Sequence, residues 1–298
     1  MDNIKKALAE ASIDFVCDLD SSEHSSFKIG GTVDLALFPK STDEMIQAIS
    51  LFDECGVKFE ILGNASNVLF AFDRYRGAFI FTDKLAKCSV EGNRIFCEAG
   101  ASLTHIANVA ASNSFAGFEF AYGIPATVGG AVYMNAGAFG GQISDLVEYT
   151  LAYDRKQKTV AKIYENAFGY RNSIYMQRPE LVCLGASFVF SAGDPSEIRA
   201  KMAQNMRLRR EKQPLEYASA GSYFKRPEGN FAGKLIEDCS LKGERVGSAE
   251  VSQKHAGFII NLGGATYGDV LALEKKITER VSERFGVTLE REVRLITD

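Results

Sequence analysis

The chain has 298 residues, of which 46% are hydrophobic and 24% are charged, so it can bury a sizeable core and divide into two or three domains. This composition excludes a disordered chain, a collagen-like repeat and a small disulfide-stapled scaffold. The formal net charge of −4 gives no overall field that would attract a polyanion, so we expect no nucleic-acid partner.

The first third of the sequence alternates strand and helix patterns. The apolar run Val33–Phe38 predicts a strand, and Ser41–Glu44 has the Ser-x-x-Glu pattern of a helix capping box. Gly56 is placed to end that helix, and Lys58–Leu62 predicts the next strand. Together these elements predict a β-α-β unit, which is followed directly by the turn Gly63–Asn67.

The middle third contains a glycine-rich segment after a predicted hairpin and helix. The hairpin is Cys88–Val90 with Arg94–Glu98, and the helix has apolar residues at helical spacing from Leu103 to Ala110. The segment Gly117–Gly141 then combines seven glycines with little charge. Glycine lets a backbone approach a ligand closely, and its amides can surround phosphate oxygens; the alternative is tight turns and close helix packing. No Rossmann or Walker pattern occurs in it.

The next elements are two strands and a charged helix. The strands Leu146–Tyr153 and Leu181–Phe190 are predicted on either side of a short helix or turn at Tyr164–Ser173. The helix spans Pro195–Lys212. Its basic run is expected to form a solvated face. The alternative is that part of this run attracts the diphosphate of one ligand or the phosphate of another. That run consists of Arg207, Arg209, Arg210 and Lys212.

The last part of the sequence becomes loop-rich beyond Pro214, where we expect a domain boundary. A long helix is marked by apolar residues from Val270 to Val281, and Glu292–Ile296 predicts a closing strand. No internal repeat occurs. The whole pattern predicts an α+β protein with mixed sheets.

Cysteine and histidine usage predicts no metal site. The six cysteines form no Cys-x-x-Cys pair and only three histidines are present, so we expect buried, reduced thiols. No apolar stretch approaches the roughly 20 residues of a membrane helix, and the first ten residues do not resemble a secretory signal. We therefore expect a cytoplasmic protein without a membrane partner.

Eight sequence blocks in a fixed order carry a resemblance to a known family. They are Phe27–Gly31, Gly63–Asn67, Gly123–Ala131, Met134–Ala138, Tyr170–Ser173, Ser219–Lys225, Lys254–Phe258 and Glu290–Arg294. Together they resemble the UDP-N-acetylenolpyruvoylglucosamine reductase family, from about Ser26 to Ile296. The absence of an obvious insertion resembles the shorter form of the family, which lacks a tyrosine-lid insertion.

The resemblance implies a fold and its division into domains. The expected fold is α+β, with a two-domain FAD-binding unit of the PCMH type and a C-terminal α+β substrate domain. The implied domains are an N-terminal FAD-binding part at 1–84, a central FAD-binding part at 85–212 joined by the tail 289–298, and a substrate domain at 213–288.

The resemblance also implies an activity. It is the NADPH-dependent reduction of UDP-N-acetylglucosamine enolpyruvate to UDP-N-acetylmuramate, a precursor of the peptidoglycan that determines cell shape and division. The enzyme is then a flavoprotein oxidoreductase with non-covalent FAD and with NADPH as co-substrate. No obligate protein partner is expected.

Three residues match the catalytic positions of the family. Arg171 and Glu292 match a pair that stabilises negative charge on the carboxyl side of the substrate, where a guanidinium can bind a carboxylate with two hydrogen bonds. Ser222 matches the proton donor to the carbon beside that carboxyl. Lys225 is the nearest cation in sequence that could assist this serine. His255 is either structural or lines the substrate site.

Binding residues are implied by the same match. Tyr170, Lys225 and Arg226 match substrate contacts. The implied cofactor contacts are Gly63, Asn64, Ala65, Ser66, Asn67, Gly123, Ile124, Pro125, Gly129, Gly130, Asn135, Ala136 and Gly137.

Some residues depart from the family pattern. Ala65 and Ala126 stand where the family commonly has glycine, and their methyl groups weaken flavin binding if those positions need positive φ. Tyr223 replaces a residue that is usually smaller, and Arg226 stands where many relatives have asparagine.

Two other functions remain open from the sequence. One is a flavin oxidase of the same fold, which would pass electrons to oxygen. The other is a nucleotide-sugar-binding protein without catalysis, against which the joint presence of Arg171, Ser222 and Glu292 argues.

Overall fold

The structure is a computed structural model and describes residues 2–298. Its α-helices are α1 Asp2–Glu10, α2 Thr42–Cys55, α3 Leu103–Ser112, α4 Val128–Met134, α5 Ile174–Gln177, α6 Pro195–Lys212, α7 Ala232–Asp238 and α8 Tyr267–Phe285. Its strands are β1 Phe15–Asp20, β2 Thr32–Leu37, β3 Phe59–Leu62, β4 Val68–Phe70, β5 Arg74–Phe81, β6 Cys88–Glu91, β7 Arg94–Glu98, β8 Phe115–Ala116, β9 Gly137–Ala138, β10 Gly141–Gln142, β11 Val147–Asp154, β12 Thr159–Ile163, β13 Leu181–Val189, β14 Ser191–Ala192, β15 Ala218–Ser222, β16 Arg245–Val246, β17 Ala249–Val251, β18 Phe258–Asn261 and β19 Arg294–Ile296.

The chain divides into two compact units, and each is built from separate stretches of sequence. The first unit comprises residues 2–17, 35–64 and 77–207, and the second comprises 18–34, 65–76 and 208–298. The three-part division at 1–84, 85–212 and 213–288 stays a prediction. The tail 289–298, which the sequence assigns to the central part, falls in the second unit, where β19 pairs in parallel with β4.

Two sheets form the frame of the first unit. Most of a four-stranded sheet lies here in the order β1-β2-β5-β3, and a five-stranded antiparallel sheet has the order β12-β11-β13-β7-β6. The predicted β-α-β elements are all present. However, β3 pairs in parallel with β5, which separates it from β2 in the sheet.

Helix α2 begins and ends where the sequence predicts. The Ser41 side chain accepts a hydrogen bond from the Glu44 amide at 3.1 Å, and Gly56 ends the helix with φ +65°. The second bond of the expected capping box differs, because the Glu44 carboxylate accepts from the Lys40 amide at 3.0 Å. The buried face of α2 consists of Met45, Ala48, Ile49 and Phe52.

Most other predicted elements of the first unit are also present. The predicted hairpin forms β6 and β7, and the predicted helices form α3 and α6. The segment Tyr164–Ser173 is a turn, and α5 begins only at Ile174. Strand β12 was not predicted, because all of its residues before Ile163 are exposed and show no apolar alternation.

The second unit packs a sheet against helices α7 and α8. Its antiparallel sheet has the order β15-β18-β17-β16. The α8 residues Val270, Leu273, Ile277 and Val281 are fully buried in a core that also contains Phe27, Ile29 and Leu69. Residues distant in sequence therefore complete one core.

Candidate functional site

Predicted cofactor residues of the first unit meet around one buried hydroxyl. A Cβ on Gly63 would lie 2.1 Å from Thr127 Oγ1, so only glycine fits there. Asn64 donates its side-chain amide to the Pro125 carbonyl at 3.3 Å. Thr127 Oγ1 is buried and has no hydrogen-bond partner within residues 2–298. The turn after β3 and the loop before α4 are thus brought together.

The N-terminus of α4 is held by backbone hydrogen bonds. The Gly129 amide donates to the Ala99 carbonyl at 2.8 Å, and the Val128 amide donates to the Ala101 carbonyl at 2.9 Å. These two amides are therefore used within the protein. Gly129 supports the shape of the loop, and a Cβ there would lie 3.1 Å from that of Ala99.

Asn135 ends α4 in a left-handed conformation, with φ +42°. Its side chain donates to the Gly169 carbonyl at 3.0 Å and accepts from the Ser144 amide at 2.9 Å. Gly137 follows in β9, where a Cβ would lie 2.7 Å from the Gly141 carbonyl oxygen. Asn135 and Gly137 thus fix the backbone of the predicted cofactor loop, and Ala136 lies between them.

Arg171 lies against this same loop. Its guanidinium donates to the carbonyls of Asn135 and Gly137, both at 3.3 Å, and stacks on the Tyr170 ring with 5.1 Å to the centroid. The residue is half-buried and has φ +52° within a turn closed by the Gly169–Asn172 bridge. The structure therefore joins a predicted substrate residue, a predicted catalytic residue and predicted cofactor residues within the first unit.

Ser222 ends strand β15 in the second unit. It pairs with Phe258 of β18 beyond a register shift, and the preceding Gly221 has φ +77°. Ser222 is exposed, whereas the next residue, Tyr223, is fully buried. The predicted proton donor Ser222 thus lies at the exposed end of β15, directly before a buried tyrosine.

Glu292 lies beside the Ser222 segment. Its amide donates to the Tyr223 carbonyl at 2.9 Å, and its carbonyl accepts from the Asn67 side chain at 3.2 Å. The Arg294 amide donates to the Asn67 carbonyl at 2.9 Å. The second unit therefore connects two predicted catalytic residues and one predicted cofactor residue through a short hydrogen-bonded path.

The cations near Ser222 have partners. Lys225 Nζ is 3.2 Å from Glu290 Oε2, and the Lys225 amide donates to the Glu290 carbonyl at 2.8 Å. The Arg226 guanidinium lies 4.7 Å from the centroid of the Phe231 ring. The proposed assistance of Ser222 by Lys225 would act from an ammonium that is already paired with a carboxylate.

His255 has the contacts of a structural residue. Its Nδ1 accepts a hydrogen bond from the Gly257 amide at 3.1 Å, and its ring packs edge-on against Phe258. Burial lowers the pKa of His255 below its ordinary value, which favours the neutral ring. A role in lining the substrate site stays untested.

The basic run of α6 divides between solvent and interior. Arg207, Arg210 and Lys212 are exposed, as predicted, but Arg209 is only 6% exposed. The prediction of a fully solvated face is therefore wrong at Arg209. Burial lowers the pKa of this guanidinium relative to its ordinary value.

Three residues of the site region were not singled out from the sequence. Thr127 is recognisable only once Gly63 is placed beside it, and Glu274 and Arg291 only once Glu274 is seen to bind both Tyr223 and Arg291. Each partner is distant in sequence, so no local spacing indicates the pair.

Among residues 2–298, the structure shows neither a cluster of metal ligands nor a helix that could span a membrane. Within residues 2–298, no three His, Cys, Asp or Glu side chains cluster to hold a metal ion. All six cysteines are free, but the expectation of buried thiols is wrong at Cys17 and Cys55, which are exposed. None of the helices in this range is both long and apolar enough to cross a bilayer.

Two family models match the chain. The FAD binding domain matches residues 33–160, and the UDP-N-acetylenolpyruvoylglucosamine reductase C-terminal domain matches 213–296. The first match includes the loops around Thr127, and the second includes Ser222 and Glu292.

Curated relatives and solved structures agree with these matches. The UDP-N-acetylenolpyruvoylglucosamine reductase of Caldanaerobacter subterraneus is 44% identical over 297 residues, covering 99% of this chain and 97% of the relative. The reductase of Clostridium novyi is 45% identical over 274 residues, covering 92% of this chain and 89% of the relative. The crystal structure of the reductase from Thermus caldophilus has a TM-score of 0.80 at 30% identity, covering 96% and 99% of the two chains.

A more distant likeness concerns the fold alone. A variant of berberine bridge enzyme, described as a reticuline dehydrogenase, has a TM-score of 0.50 at 12% identity and covers 72% of this chain and 51% of its own. The expected α+β fold with a PCMH-type FAD-binding unit is thereby confirmed.

The residues around Thr127 fit a dinucleotide cofactor. An unsatisfied buried hydroxyl costs about 1–3 kcal/mol, which a hydrogen bond from Thr127 Oγ1 to a bound polar group would offset. Small polar side chains and glycine backbone around the hydroxyl suit a diphosphate. The donor set of this loop therefore agrees with the FAD binding domain match.

Proposed function

Because the chain belongs to the family of UDP-N-acetylenolpyruvoylglucosamine reductases, we propose that Arg171, Ser222 and Glu292 carry its reaction. The protein is an FAD-containing oxidoreductase that uses NADPH to reduce UDP-N-acetylglucosamine enolpyruvate to UDP-N-acetylmuramate in peptidoglycan synthesis. Bound FAD supplies the hydride chemistry between NADPH and the enolpyruvyl double bond.

The loops on either side of Thr127 are proposed to hold the FAD diphosphate. The lack of a side chain at Gly63 lets Thr127 pack against the turn, while Asn64, Ser66 and Asn67 of that turn offer polar side chains. The unpaired Thr127 hydroxyl supports this assignment.

Arg171 is proposed to bind the substrate carboxylate. A planar guanidinium can make two parallel hydrogen bonds to a carboxylate and stabilise negative charge that develops there. Its contact with the carbonyls of Asn135 and Gly137 fixes the side chain beside the cofactor loop. Tyr170, Lys225 and Arg226 are proposed as further substrate contacts.

Ser222 is proposed to give a proton to the carbon beside that carboxylate. Glu292 is proposed to help stabilise the negative charge on the carboxyl side of the substrate. The observation that carries this proposal is the hydrogen-bonded path from Asn67 through Glu292 to the backbone of Tyr223, directly beside Ser222. It links the proposed donor to a residue of the cofactor turn. An exposed serine at a strand end is accessible to a bound substrate.

The half-reactions of Ser222→Ala test the donor. FAD reduction by NADPH needs no such proton and should stay within a few-fold of wild type. Reoxidation by the enolpyruvyl substrate should fall by roughly 10²–10⁴, the contribution of a positioned general acid. Stopped-flow flavin absorbance measures both rates after flavin content has been checked.

Ser222→Cys serves as the matched variant, because a thiol can donate a proton from nearly the same place, and it should recover part of the reoxidation rate. Equal slowing of both half-reactions in Ser222→Ala would show that Ser222 shapes the pocket. Unchanged reoxidation would transfer the donor role to another group, such as Lys225 or a water.

The reductase assignment is favoured over both alternatives by its named relatives, which match over nearly the whole chain. A flavin oxidase would turn over NADPH with oxygen as fast as with the enolpyruvyl substrate. A binding protein would bind the nucleotide sugar without oxidising reduced flavin. Anaerobic reduction followed by addition of substrate distinguishes all three.

We also propose that the protein works in the cytoplasm without an obligate protein, nucleic-acid or membrane partner. NADPH and the UDP-sugar are charged metabolites that do not cross a bilayer, and the net charge of −4 offers no attraction to polyanions. Full activity of the purified chain alone would support this proposal, whereas activity only after addition of a membrane or protein fraction would contradict it.

A further inference from the structure

A carboxylate on α8 joins the two segments that carry Ser222 and Glu292. The Tyr223 hydroxyl donates to Glu274 Oε2 at 2.8 Å. The Arg291 guanidinium binds the same carboxylate through Nε at 3.0 Å and through Nη2 at 2.8 Å. One acidic side chain thus holds two residues that lie 68 positions apart in sequence.

These two residues are the direct neighbours of the proposed catalytic groups. Tyr223 follows Ser222, and Arg291 precedes Glu292. Their main chains are also joined, because the Glu292 amide donates to the Tyr223 carbonyl and Phe224 forms a β-bridge with Arg291. The Glu274 carboxylate therefore joins, through side chains, the same two segments that these backbone hydrogen bonds join.

Glu274 is unusual for its position on α8. The helix buries an apolar stripe that includes Leu273 and Ile277, and the side chain of Glu274 beside it is only 16% exposed. A carboxylate so removed from water is stabilised by charge-assisted hydrogen bonds with fixed geometry. Arg291 supplies the opposite charge, and Tyr223 supplies a further donor.

Tyr223 keeps its proton in this environment. Burial raises the pKa of its hydroxyl well above the ordinary value, so the phenol remains a donor to the carboxylate over the working pH range. The buried ring anchors the backbone from which the exposed Ser222 emerges. A shift of that anchor would change the direction in which the serine points.

We propose that Glu274 is a positioning residue, which holds Tyr223 and Arg291 so that Ser222 and Glu292 keep the geometry needed for proton delivery. This inference rests on the roles proposed above for Ser222 and Glu292. Because small misplacements of reacting groups lower rates strongly, the effect should appear in the half-reaction that needs the proton.

The test compares Glu274→Gln and Tyr223→Phe with wild type in both half-reactions. Glu274→Gln keeps the size of the side chain but loses the charge, and reoxidation by the enolpyruvyl substrate should fall about tenfold or more. Tyr223→Phe removes only one hydrogen bond and should give a smaller decrease of about two- to fivefold. FAD reduction by NADPH should stay within twofold in both variants.

The control is Glu279→Gln on the same helix. Glu279 is exposed and lies 3.8 Å from Lys275 in a surface pair, so both half-reactions should remain unchanged. Flavin content and the unfolding midpoint are measured for every variant. Tyr223→Phe keeps the test decisive if Glu274→Gln does not fold.

A double variant separates positioning from general stability. Adding Glu274→Gln to Ser222→Ala should slow reoxidation no further than Ser222→Ala alone, because the residue acts through the serine. Independent, multiplying effects would overturn the inference, as would equal slowing of both half-reactions. Normal reoxidation in Glu274→Gln and Tyr223→Phe beside a slow Ser222→Ala would overturn only the positioning role, whereas normal reoxidation in Ser222→Ala would overturn the proposed donor itself.

Discussion

At the scale of single residues, three of the predicted site residues have positive φ although they are not glycine. Ala65 has φ +42°, Asn135 has φ +42° and Arg171 has φ +52°. Asparagine tolerates this conformation best, and the two hydrogen bonds of Asn135 help to hold it. Ala65 and Arg171 have no such intrinsic preference. Folded proteins retain such backbone strain where the surrounding structure requires one particular path of the chain.

Glycine at position 65 should relieve part of this strain. Ala126 is not among the residues with positive φ, so Ala126→Gly gains nothing from the change and only increases the freedom of the unfolded chain. Ala65→Gly should therefore be the more stable variant by roughly 1–2 kcal/mol. The measurement is the free energy of unfolding of both apoproteins under identical conditions. Equal stabilities would mean that the φ of Ala65 relaxes without cost.

Arg171→Lys should impair catalysis although it keeps the positive charge. A lysine cannot donate to the Asn135 and Gly137 carbonyls while also presenting a planar fork to a carboxylate. We expect kcat/KM for the enolpyruvyl substrate to fall by about 10²-fold. Arg199→Lys on the exposed surface of α6 is the control and should behave as wild type. Near-normal turnover of Arg171→Lys would assign Arg171 a purely structural role.

At the scale of elements, a buried polar network supports the Arg171 turn. Tyr175 of α5 donates its hydroxyl to Thr150 of β11 at 2.6 Å, and Thr150 donates to Asn166 at 2.6 Å. The backbone carbonyl of Asn166 accepts a hydrogen bond from the Ile174 amide at 2.7 Å. The turn that presents Arg171 is thus fastened to the five-stranded sheet by side chains behind it.

Thr150→Val should weaken this connection. The change removes one acceptor and one donor from buried partners, so the free energy of unfolding should fall by about 1–3 kcal/mol. Thr159→Val on the exposed strand β12 makes the same chemical change and should alter stability by less than about 0.5 kcal/mol. Urea unfolding followed by fluorescence measures both. A smaller loss in Thr150→Val than in Thr159→Val would contradict the network.

Elements with local signals were predictable from the sequence, and elements defined by distant partners were not. The ends of α2 follow from Ser41 and Gly56, which act on their own neighbours. Strand β12 has exposed residues and exists because β11 pairs with it. The site residues with a family match could be named in advance. Glu274 could not, since its two partners become neighbours only in the folded chain.

At the scale of the whole molecule, sequence relatives and family models agree on a flavoprotein reductase, and the residues proposed for its reaction are distributed over both compact units of the chain. Arg171 and the Thr127 region belong to the first unit, and Ser222, Glu292 and Asn67 belong to the second. The turn that follows β3 passes from one unit to the other between Asn64 and Ala65.

The flavin should be held without a covalent bond. The residues 63–67 and 123–138 contain neither histidine nor cysteine, the side chains that form adducts with the flavin ring. Acid precipitation of the purified yellow protein should therefore release all flavin absorbance into the supernatant. Colour retained in a washed, denatured pellet would contradict this expectation.

The discontinuous second unit has a consequence for folding during translation. Phe27, Ile29 and Leu69 leave the ribosome early, but the α8 residues of the core they share are made only after residue 207. At about 5–20 residues per second, synthesis of residues 208–298 takes roughly 5–20 s. Throughout that interval the nascent chain carries apolar side chains whose permanent partners do not yet exist, while the first unit already has its complete sequence. The early segments of the second unit are therefore the part of the nascent chain that most needs protection from contact with other chains.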